Sequence, residues 1–393
     1  MAELILMTDN KDYQDLHYKF IAKDLSGRYI TNEHIKPLIK KLNLVKSSVI
    51  GYSVNNLLIY SLEIGNGPKK ILMWSQMHGN ESTTTKAIFD LLNILESGHL
   101  KHILENCTLC IIPILNPDGA LAYTRVNANR IDLNRDAQNL SQPESSVLKN
   151  VFNEFKPDFC LNLHGQRTIF SAGQSNHSAT VSFLAPAQDE ERSITNNRKR
   201  AMELIVVMNS KLQEVIYKQV GIYDDSFNIN CVGDTFQSLD VPTVLFEAGH
   251  IDGDYHREEV RGYICIALLT CIDYISTNEV TGKNYKPYID IPENDKLFYD
   301  IIIRNAKINL ESKELQDIAI QYQEVLKGDR VDFIPVIVKL KALDGFFAHR
   351  TIDAQGNDVT TSDKNHIVFE LKKGLDVIYI KGEKLSLKPM INE

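Results

Sequence analysis

The chain lacks a surplus of positive charge, a long apolar run and a basic leader, and each absence excludes a class of protein. Its 393 residues include 43 Lys and Arg against 51 Asp and Glu, which gives a formal net charge of −8. Because no basic run is long enough to follow a phosphate backbone, we expect no nucleic-acid partner. The acidic N-terminus, Met1–Asp9, does not resemble a signal sequence, and we expect no membrane partner. These features predict a cytoplasmic protein.

The six cysteines predict neither disulfide bonds nor a zinc ribbon. Five of them stand in apolar strand-like or helix-like runs, where buried free thiols are expected. Cys107 and Cys110 form a C-x-x-C pair within a strand pattern, but a second pair is missing from the sequence. Cys231 stands in a loop-like setting and is the one thiol that we do not expect to be inert.

Apolar strands alternate with helical stretches after a predicted hairpin, which indicates an α/β fold with a mixed, largely parallel central sheet flanked by helices. The predicted strands are Lys70–Gln76, Thr108–Leu115, Phe159–Leu163, Val181–Ala185 and Thr243–Phe246. The predicted helices between them are Thr84–Leu95, Pro143–Phe155, Glu190–Gln219 and Arg257–Ile275. We predict a catalytic domain over residues 1–277, which begins with a helix over Tyr13–Leu25, a polar linker over 278–292 and a small β-rich domain over 293–393. The predicted strands of the β-rich domain are Phe298–Arg304, Ile318–Tyr322, Phe333–Leu340, Ile367–Leu371 and Val377–Ile380.

His78 and Glu81 directly follow an apolar run, Ile71–Met77, that is predicted to be a buried strand. A His and a Glu at this spacing can turn toward one point, and Zn²⁺ binds imidazole nitrogen together with carboxylate oxygen. Alone, H-x-x-E is a weak signal. Four further motifs follow at predicted strand ends, where the crevice of an open α/β sheet lies: Asn116–Gly119, Asp132–Arg135, Leu163–Gly165 and Phe246–Gly249.

His164 is the predicted third metal ligand. A single His at a strand end is more often a satisfied, half-buried imidazole, but beside His78 and Glu81 the ligand interpretation is preferred. Gly165 lets the chain turn away after it. Three protein ligands leave a fourth position for water, and zinc lowers the pKa of that water toward ~7. We therefore predict one Zn²⁺ per chain.

Glu247 is the predicted general base. It follows the apolar run Val244–Phe246 and should face the crevice between buried neighbours, which would raise its pKa. The alternative is a structural carboxylate that binds backbone amides or a nearby His. His250 belongs to that alternative, or it orients Glu247.

The motif Asp132–Arg135 offers an Arg beside an Asn amide, an arrangement suited to binding a carboxylate through parallel hydrogen bonds. Asn134 and Arg135 are therefore predicted to bind substrate. Either Arg125 or Arg130, just upstream, is predicted to polarise a reacting carbonyl, a contribution worth ~3–4 kcal/mol. Arg125 is preferred, although the sequence leaves both open.

Together these motifs resemble the zinc carboxypeptidases of the carboxypeptidase A-like metallopeptidase clan, over residues from about 45 to 275. The resemblance implies a zinc metallocarboxypeptidase that hydrolyses the C-terminal amide bond of small peptides with a metal-activated water. It also implies a Tyr that covers the substrate, for which Tyr223 is the nearest candidate and Tyr255 the next. Asn80 and Gly165-Gln166 depart from the digestive members, which carry Arg and Ser-Tyr there.

The sequences His-Gly-Asn-Glu and Asp-Leu-Asn-Arg are also similar to the succinylglutamate desuccinylase and aspartoacylase branch of the clan. That branch removes acyl groups from amino acids, so a small peptide or an N-acyl amino acid is the expected substrate. The peptide is preferred because Asn116–Gly119 and Arg125–Ala128 look more like bacterial peptidases. A non-catalytic module that binds peptide termini is a third hypothesis, and the presence of all three ligands and a base argues against it.

Overall fold

The computed structural model describes residues 13–308, 314–361, 369 and 371–389. The predicted leaderless N-terminus, Met1–Asp9, and most of a predicted strand at Ile367–Leu371 lie outside the described residues.

An eight-stranded mixed sheet forms the centre of the first 250 residues, in the order β1-β2-β4-β3-β5-β9-β7-β8. Strands β3, β4, β5 and β9 run parallel, which confirms the predicted α/β fold with a largely parallel centre. A short strand, β6, lies outside this sheet. The strands are β1 (Lys46–Tyr52), β2 (Leu58–Gly65), β3 (Lys69–Trp74), β4 (Cys107–Ile112), β5 (Phe159–Gly165), β6 (Ser171–Ala172), β7 (Val181–Leu184), β8 (Val220–Ile222) and β9 (Thr243–Ala248).

Helices cover both faces of the sheet, which explains why its central strands are continuous apolar runs. Ile71 and Met73 of β3 pack on one face with α3, α7 and α9, while Leu72 and Trp74 pack on the other with α6 and α8. The helices are α1 (Tyr13–Phe20), α2 (Asn32–Ile39), α3 (Thr83–Glu96), α4 (Lys101–Asn106), α5 (Pro117–Ala122), α6 (Pro143–Phe155), α7 (Asn196–Leu212), α8 (Val232–Ser238) and α9 (Glu258–Thr277).

Two predicted elements are too long. The helix expected over Glu190–Gln219 begins only at Asn196, because the Thr195 hydroxyl accepts from the backbone N–H of Arg198 and caps the first turn. The first helix ends at Phe20 instead of Leu25.

By length and composition alone, helix α9 could cross a membrane. The sequence analysis expected no such segment and overlooked this helix. In the structure, 83% of the most apolar 18-residue stretch of this helix is buried inside the protein, as in the core helix of a folded domain. Its apolar character is therefore explained by packing against α3 and α7.

The C-terminal region is rich in β-structure, as predicted. A four-stranded sheet in the order β13-β12-β11-β14 is joined by a three-stranded sheet of β15, β16 and β17, while β10 pairs with β6. The strands are β10 (Asn294–Asp295), β11 (Phe298–Ala306), β12 (Gln316–Lys327), β13 (Arg330–Leu340), β14 (Phe347–Asp353), β15 (Val359–Thr360), β16 (Val377–Ile380) and β17 (Glu383–Ser386).

The segment expected to be a linker, residues 278–292, packs on the first region. Val280, Tyr288 and Ile291 are buried in the same core as α7 and α9. The backbone N–H of Gly282 donates to Glu203 of α7. This part of the chain is thus held by both apolar burial and hydrogen bonds.

The carboxyl ends of β3, β5 and β9 lie side by side and carry the candidate site. His164 of β5 stands opposite Glu247 of β9 in register, and His78 follows the end of β3. Adjacent parallel strands therefore bring these groups to one edge of the sheet.

Candidate active site

His78, Glu81 and His164, named here the ligand triad, converge on one point. The Nδ1 atom of His78 lies 2.9 Å from Glu81 Oε1, and Nδ1 of His164 lies 3.1 Å from Glu81 Oε2. The two Nδ1 atoms are 3.1 Å apart. One ligand atom from each residue lies within 4.8 Å of the others, as a shared metal ion requires. The backbone N–H of Gly165 donates to Glu81 Oε2 at 3.0 Å and fixes the carboxylate.

The turn that carries His78 depends on a close approach of two glycines. A Cβ atom on Gly79 would lie 1.9 Å from the carbonyl carbon of Gly119, so a larger residue does not fit. Asn116 ties the two segments together, because its Oδ1 accepts from Gly119 N at 2.8 Å while its Nδ2 donates to Met77 O at 3.1 Å. The motif at Asn116 thus supports the turn that holds the first two ligands.

The ligand triad stabilises a positive charge, as the pKa shifts of His78 and Glu81 show. Burial lowers the pKa of His78, but the charge of Glu81 and hydrogen bonds with Asp132 and Glu81 outweigh it and raise the pKa to about 9. Burial raises the pKa of Glu81, but the charge of His78 and the hydrogen bonds with His164 and His78 together outweigh that effect and hold the pKa below its usual value. Two imidazole nitrogens and one carboxylate, all largely buried, match the donor set of a catalytic zinc site. The residues present therefore fit a zinc ion.

Asp132 is a site residue that the sequence analysis did not identify. Its Oδ1 lies 3.0 Å from His78 Nε2, so it fixes the ring while Nδ1 faces the triad. Its Oδ2 accepts from Arg125 Nε at 3.1 Å. The signal was its position at the start of the Asp132–Arg135 motif, but nothing local in the sequence indicates contact with a residue 54 positions earlier.

Glu247 lies beside the triad with its Oε2 buried and without a hydrogen-bond partner among the described residues. Burial raises the pKa of this carboxyl well above its usual value, and the nearby charge of Glu81 raises it further. A half-buried carboxylate with an unsatisfied oxygen can accept a proton, as a general base must.

His250 does not orient Glu247. Both ring nitrogens of His250 are buried without a hydrogen-bond partner among the described residues. Its ring instead packs against Tyr255 and His349, with centroids 4.6 and 4.4 Å away. His250 therefore belongs to the packing between the first region and the C-terminal strands.

Asn134 and Arg135, named here the carboxylate-binding pair, lie in a 3₁₀ turn against the loop before α8. Asn134 Oδ1 accepts from Val232 N at 3.0 Å, which leaves its Nδ2 as the donor group that can face a ligand. Arg135 is exposed, and its Nη1 donates to Asn134 O at 2.7 Å and to Cys231 Sγ at 3.2 Å. Burial raises the pKa of Cys231 to about 11, so this thiol is less reactive than the sequence suggested.

The structure separates the two candidate arginines. Arg125 contacts both Asp132 and Glu81, with its Nη1 3.4 Å from Glu81 Oε1. Arg130 is exposed and lies outside the cleft described below. This placement favours Arg125.

The two candidate tyrosines both line the cleft described below, but they have different neighbours. Burial raises the pKa of Tyr223 above its usual range, and the charge of Glu247 adds to that effect. The hydroxyl of Tyr255 instead donates to Asp300 of β11 at 3.1 Å. Tyr223 is thus the tyrosine whose hydroxyl is affected by the charge of the candidate base.

A cleft of about 780 Å³ brings these groups together. Its lining includes residues of β12 and β13 as well as of the first region. All eight of the residues that the sequence analysis assigned to the site line it: His78, Glu81, Arg125, Asn134, Arg135, His164, Tyr223 and Glu247.

A family model described as zinc carboxypeptidase matches residues 33–236, slightly more than half of the chain. The chain belongs to the zinc carboxypeptidase family. The resemblance inferred from the five motifs is thereby confirmed, and the family is zinc-dependent.

Named relatives agree with this assignment. Carboxypeptidase SOL1 of Arabidopsis thaliana is 29% identical over 168 residues, a match that covers 36% of this chain and 34% of that protein. Carboxypeptidase D of Mus musculus is 28% identical over 174 residues, a match that covers 38% of this chain and 12% of that protein. The chain therefore spans about a third or less of these curated relatives.

Solved structures share the fold. A metallo-carboxypeptidase from Pseudomonas aeruginosa superposes with a TM-score of 0.51 at 18% identity, covering 63% of this chain and 70% of that one. Thrombin activatable fibrinolysis inhibitor superposes with a TM-score of 0.51 at 16% identity, covering 69% of this chain and 81% of that one.

Proposed function

We propose that this chain is a metallocarboxypeptidase that removes the C-terminal residue of small peptides. The observation that carries the proposal is the convergence of a His–Glu–His triad, a buried carboxylate and an Asn–Arg pair in one cleft. One Zn²⁺ per chain, held by the ligand triad, would supply a Lewis acid that polarises a carbonyl and lowers the pKa of water. The family acts on peptide substrates, which is consistent with this activity.

The carboxylate-binding pair gives the proposal its direction along the peptide. The planar guanidinium of Arg135 and the Nδ2 group of Asn134 both donate hydrogen bonds, and together they suit a terminal carboxylate. A substrate held there places its last amide bond toward the ligand triad. An exopeptidase acting at the carboxyl end is therefore favoured.

The remaining groups have roles in the reaction itself. Glu247 accepts a proton from the attacking water at its carboxylate and donates it to the leaving amine. Arg125, beside Glu81, donates to the carbonyl oxygen as negative charge develops there. Tyr223, which lines the cleft, covers the bound residue.

The test compares two peptides of identical sequence, one with a free C-terminus and one with a C-terminal amide. We expect the zinc-loaded protein to release the last residue of the free peptide only, and a chelator to abolish the release. Mass spectrometry of the products measures both reactions. Cleavage of the amide at the same rate would contradict the proposal, and release of the acyl group from N-acyl amino acids with intact peptides would support a deacylase.

A further inference from the structure

Tyr223 begins a loop between β8 and α8 that borders the cleft. The loop, residues 223–228, is named here the tyrosine loop, and it contains neither helix nor strand. Tyr223, Asp224 and Ser226 line the cleft that contains the ligand triad. The contacts that fix this loop therefore set the shape of the cleft on that side.

The two ends of the tyrosine loop are held by neighbouring elements. The backbone N–H of Tyr223 donates to the carbonyl oxygen of Phe183 in β7 at 3.0 Å. The Tyr223 ring lies edge-on to Phe170, with centroids 5.3 Å apart. At the other end, the backbone N–H of Asn228 donates to Asp234 of α8 at 3.2 Å. These contacts leave the middle of the loop to be fixed by other groups.

Asp225 attaches the middle of the loop to the rest of the protein. Among the described residues, its carboxylate makes the only hydrogen bonds that leave the stretch 224–227. Oδ2 accepts from Arg198 Nη2 at 2.5 Å, and Oδ1 accepts from Arg192 Nη1 at 3.0 Å. Burial raises the pKa of Asp225, but the hydrogen bond and charge of Arg198 and the charge of Arg192 outweigh it and hold the pKa below its usual value. The carboxylate is therefore charged at neutral pH.

Arg198 is a firmly held partner for this carboxylate. Its side chain is only 2% exposed and projects from the first turn of α7. Its Nε donates to the carbonyl oxygen of Ala185 at 3.2 Å, and its Nη1 donates to that of Arg192 at 2.8 Å. Ala185 directly follows β7 and stands between two residues that line the cleft. Arg198 thus joins the tyrosine loop to the end of β7.

We propose that Asp225 is a positioning residue, which through its ion pair with Arg198 holds the tyrosine loop so that Tyr223 covers the bound C-terminal residue. Asp225 does not line the cleft, so it acts through Tyr223 and not on the substrate. Two residues of chain span at most about 7 Å, so an attachment at Asp225 limits how far Tyr223 can move from the cleft. This inference rests on the carboxypeptidase function proposed above and on the role of Tyr223 in it.

The kinetic experiment uses full-length zinc-loaded protein and one free-ended peptide. The variants are Asp225→Asn, Tyr223→Ala and the double variant, and Asp225→Glu is the substitution that keeps the charge. The control is Glu214→Gln, which breaks an exposed pair with Lys211 of α7 and does not line the cleft. Zinc content by mass spectrometry is measured on the same samples.

We expect Asp225→Asn to raise KM about tenfold and to change kcat less than about twofold, because a cover that contacts substrate and transition state equally affects KM alone. Asp225→Glu should raise KM less than Asp225→Asn. When Tyr223 is already replaced by Ala, adding Asp225→Asn should change KM less than about twofold. A merely structural role for Asp225 would give the same rise in KM with and without Tyr223.

A milder variant guards against loss of folding in Asp225→Asn. Arg192→Gln removes only the exposed partner of Asp225 and should raise KM about twofold. This rise should also disappear in the Tyr223→Ala background. An unchanged KM in Arg192→Gln and Asp225→Asn alike would overturn the positioning role.

Limited digestion with chymotrypsin in the absence of substrate tests the attachment independently of activity. The tyrosine loop offers Tyr223 and Phe227 as aromatic cleavage sites. We expect Asp225→Asn to raise the rate of cleavage within the loop about tenfold, and Glu214→Gln to leave it at the wild-type rate. Mass spectrometry of the fragments locates the cut.

The outcomes separate the two proposals. If the wild-type protein cleaves the peptide, an equal rise in KM with and without Tyr223, or an unchanged digestion of the loop in Asp225→Asn, overturns the positioning role alone. If the wild-type protein cleaves no free-ended peptide, the carboxypeptidase function itself is wrong.

Discussion

The Nε2 atom of His78 lies 3.0 Å from Oδ1 of Asp132. Because this contact involves the ring nitrogen that does not face the ligand triad, it fixes the tautomer and the rotation of the imidazole ring. Removal of such a partner typically costs 10–100-fold in metal affinity. Asp132 is thus expected to act through His78 rather than on the substrate.

Replacement of Asp132 by Ala should lower zinc affinity by roughly 10–100-fold, as measured by competition with a chromogenic chelator. The Asp132→Asn variant keeps an acceptor oxygen and should lose less zinc affinity than Asp132→Ala. Asp136, in the same segment, binds the backbone of Ser141 and Gln142 and serves as the control as Asp136→Asn. Equal zinc affinity in Asp132→Ala and wild type would contradict the positioning role.

The Arg125→Gln variant should reduce kcat by a factor of about 10²–10³ with little change in KM, because the guanidinium is needed where charge develops on the carbonyl oxygen. The control is Arg130→Gln, in the same loop but outside the cleft, which should retain wild-type rates. Steady-state kinetics on one free-ended peptide measure both. If the two variants lost activity equally, Arg125 would not be the carbonyl-binding group.

The Glu247→Gln variant should bind zinc normally and lose a factor of roughly 10²–10⁴ in kcat, the usual contribution of a general base. The amide keeps the size of the side chain but does not accept the proton. An exposed glutamate on α6, Glu154, provides the control as Glu154→Gln. Metal content by mass spectrometry and turnover should be measured on the same samples. An active Glu247→Gln protein would exclude Glu247 as the base.

The sheet and the ligand triad were predictable from the sequence because their signals are local. The central strands are continuous apolar runs, since both faces of the sheet are covered, and each candidate ligand stands within a few residues of such a run. The positions of His78 and His164 at strand ends then place them at one edge of a parallel sheet.

The contribution of β12 to the cleft was not predictable, because its contacts join distant parts of the chain. Gln321 contacts Thr168 across 153 positions, and no periodicity records such a contact. Strand β14 was missed because His349 and Arg350 interrupt its apolar pattern, although the His349 side chain is buried. The segment 278–292 resembled a linker because only isolated residues, such as Tyr288, enter the core.

Asp90 of α3 is bound on several sides by buried groups from α1, from the segment after α1 and from α9. Arg261 of α9 donates to both of its oxygens at 2.6 Å, and the backbone N–H of Ala22 donates at 2.7 Å. The ring of His17 lies 3.0 Å from Oδ2. Burial raises the pKa of Asp90, but the hydrogen bonds with His17 and Arg261 outweigh it and hold the pKa below its usual value.

Because the folded-state pKa of Asp90 lies below the unfolded-state value of ~3.9, its contribution to stability is present above about pH 4 and is lost as pH falls further. The Asp90→Asn variant removes one of the two carboxylate partners of buried Arg261, which keeps its ion pair with Glu258, and should lower the free energy of unfolding by up to ~3–5 kcal/mol at pH 7. The exposed pair of Asp24 with Lys41 is the control, for which Asp24→Asn should cost ~0–1 kcal/mol. Urea unfolding at pH 7 and at pH 3 measures the effect, and the difference between wild type and Asp90→Asn should shrink at the lower pH. A difference that grew on acidification would show that the carboxylate does not stabilise the fold through its charge.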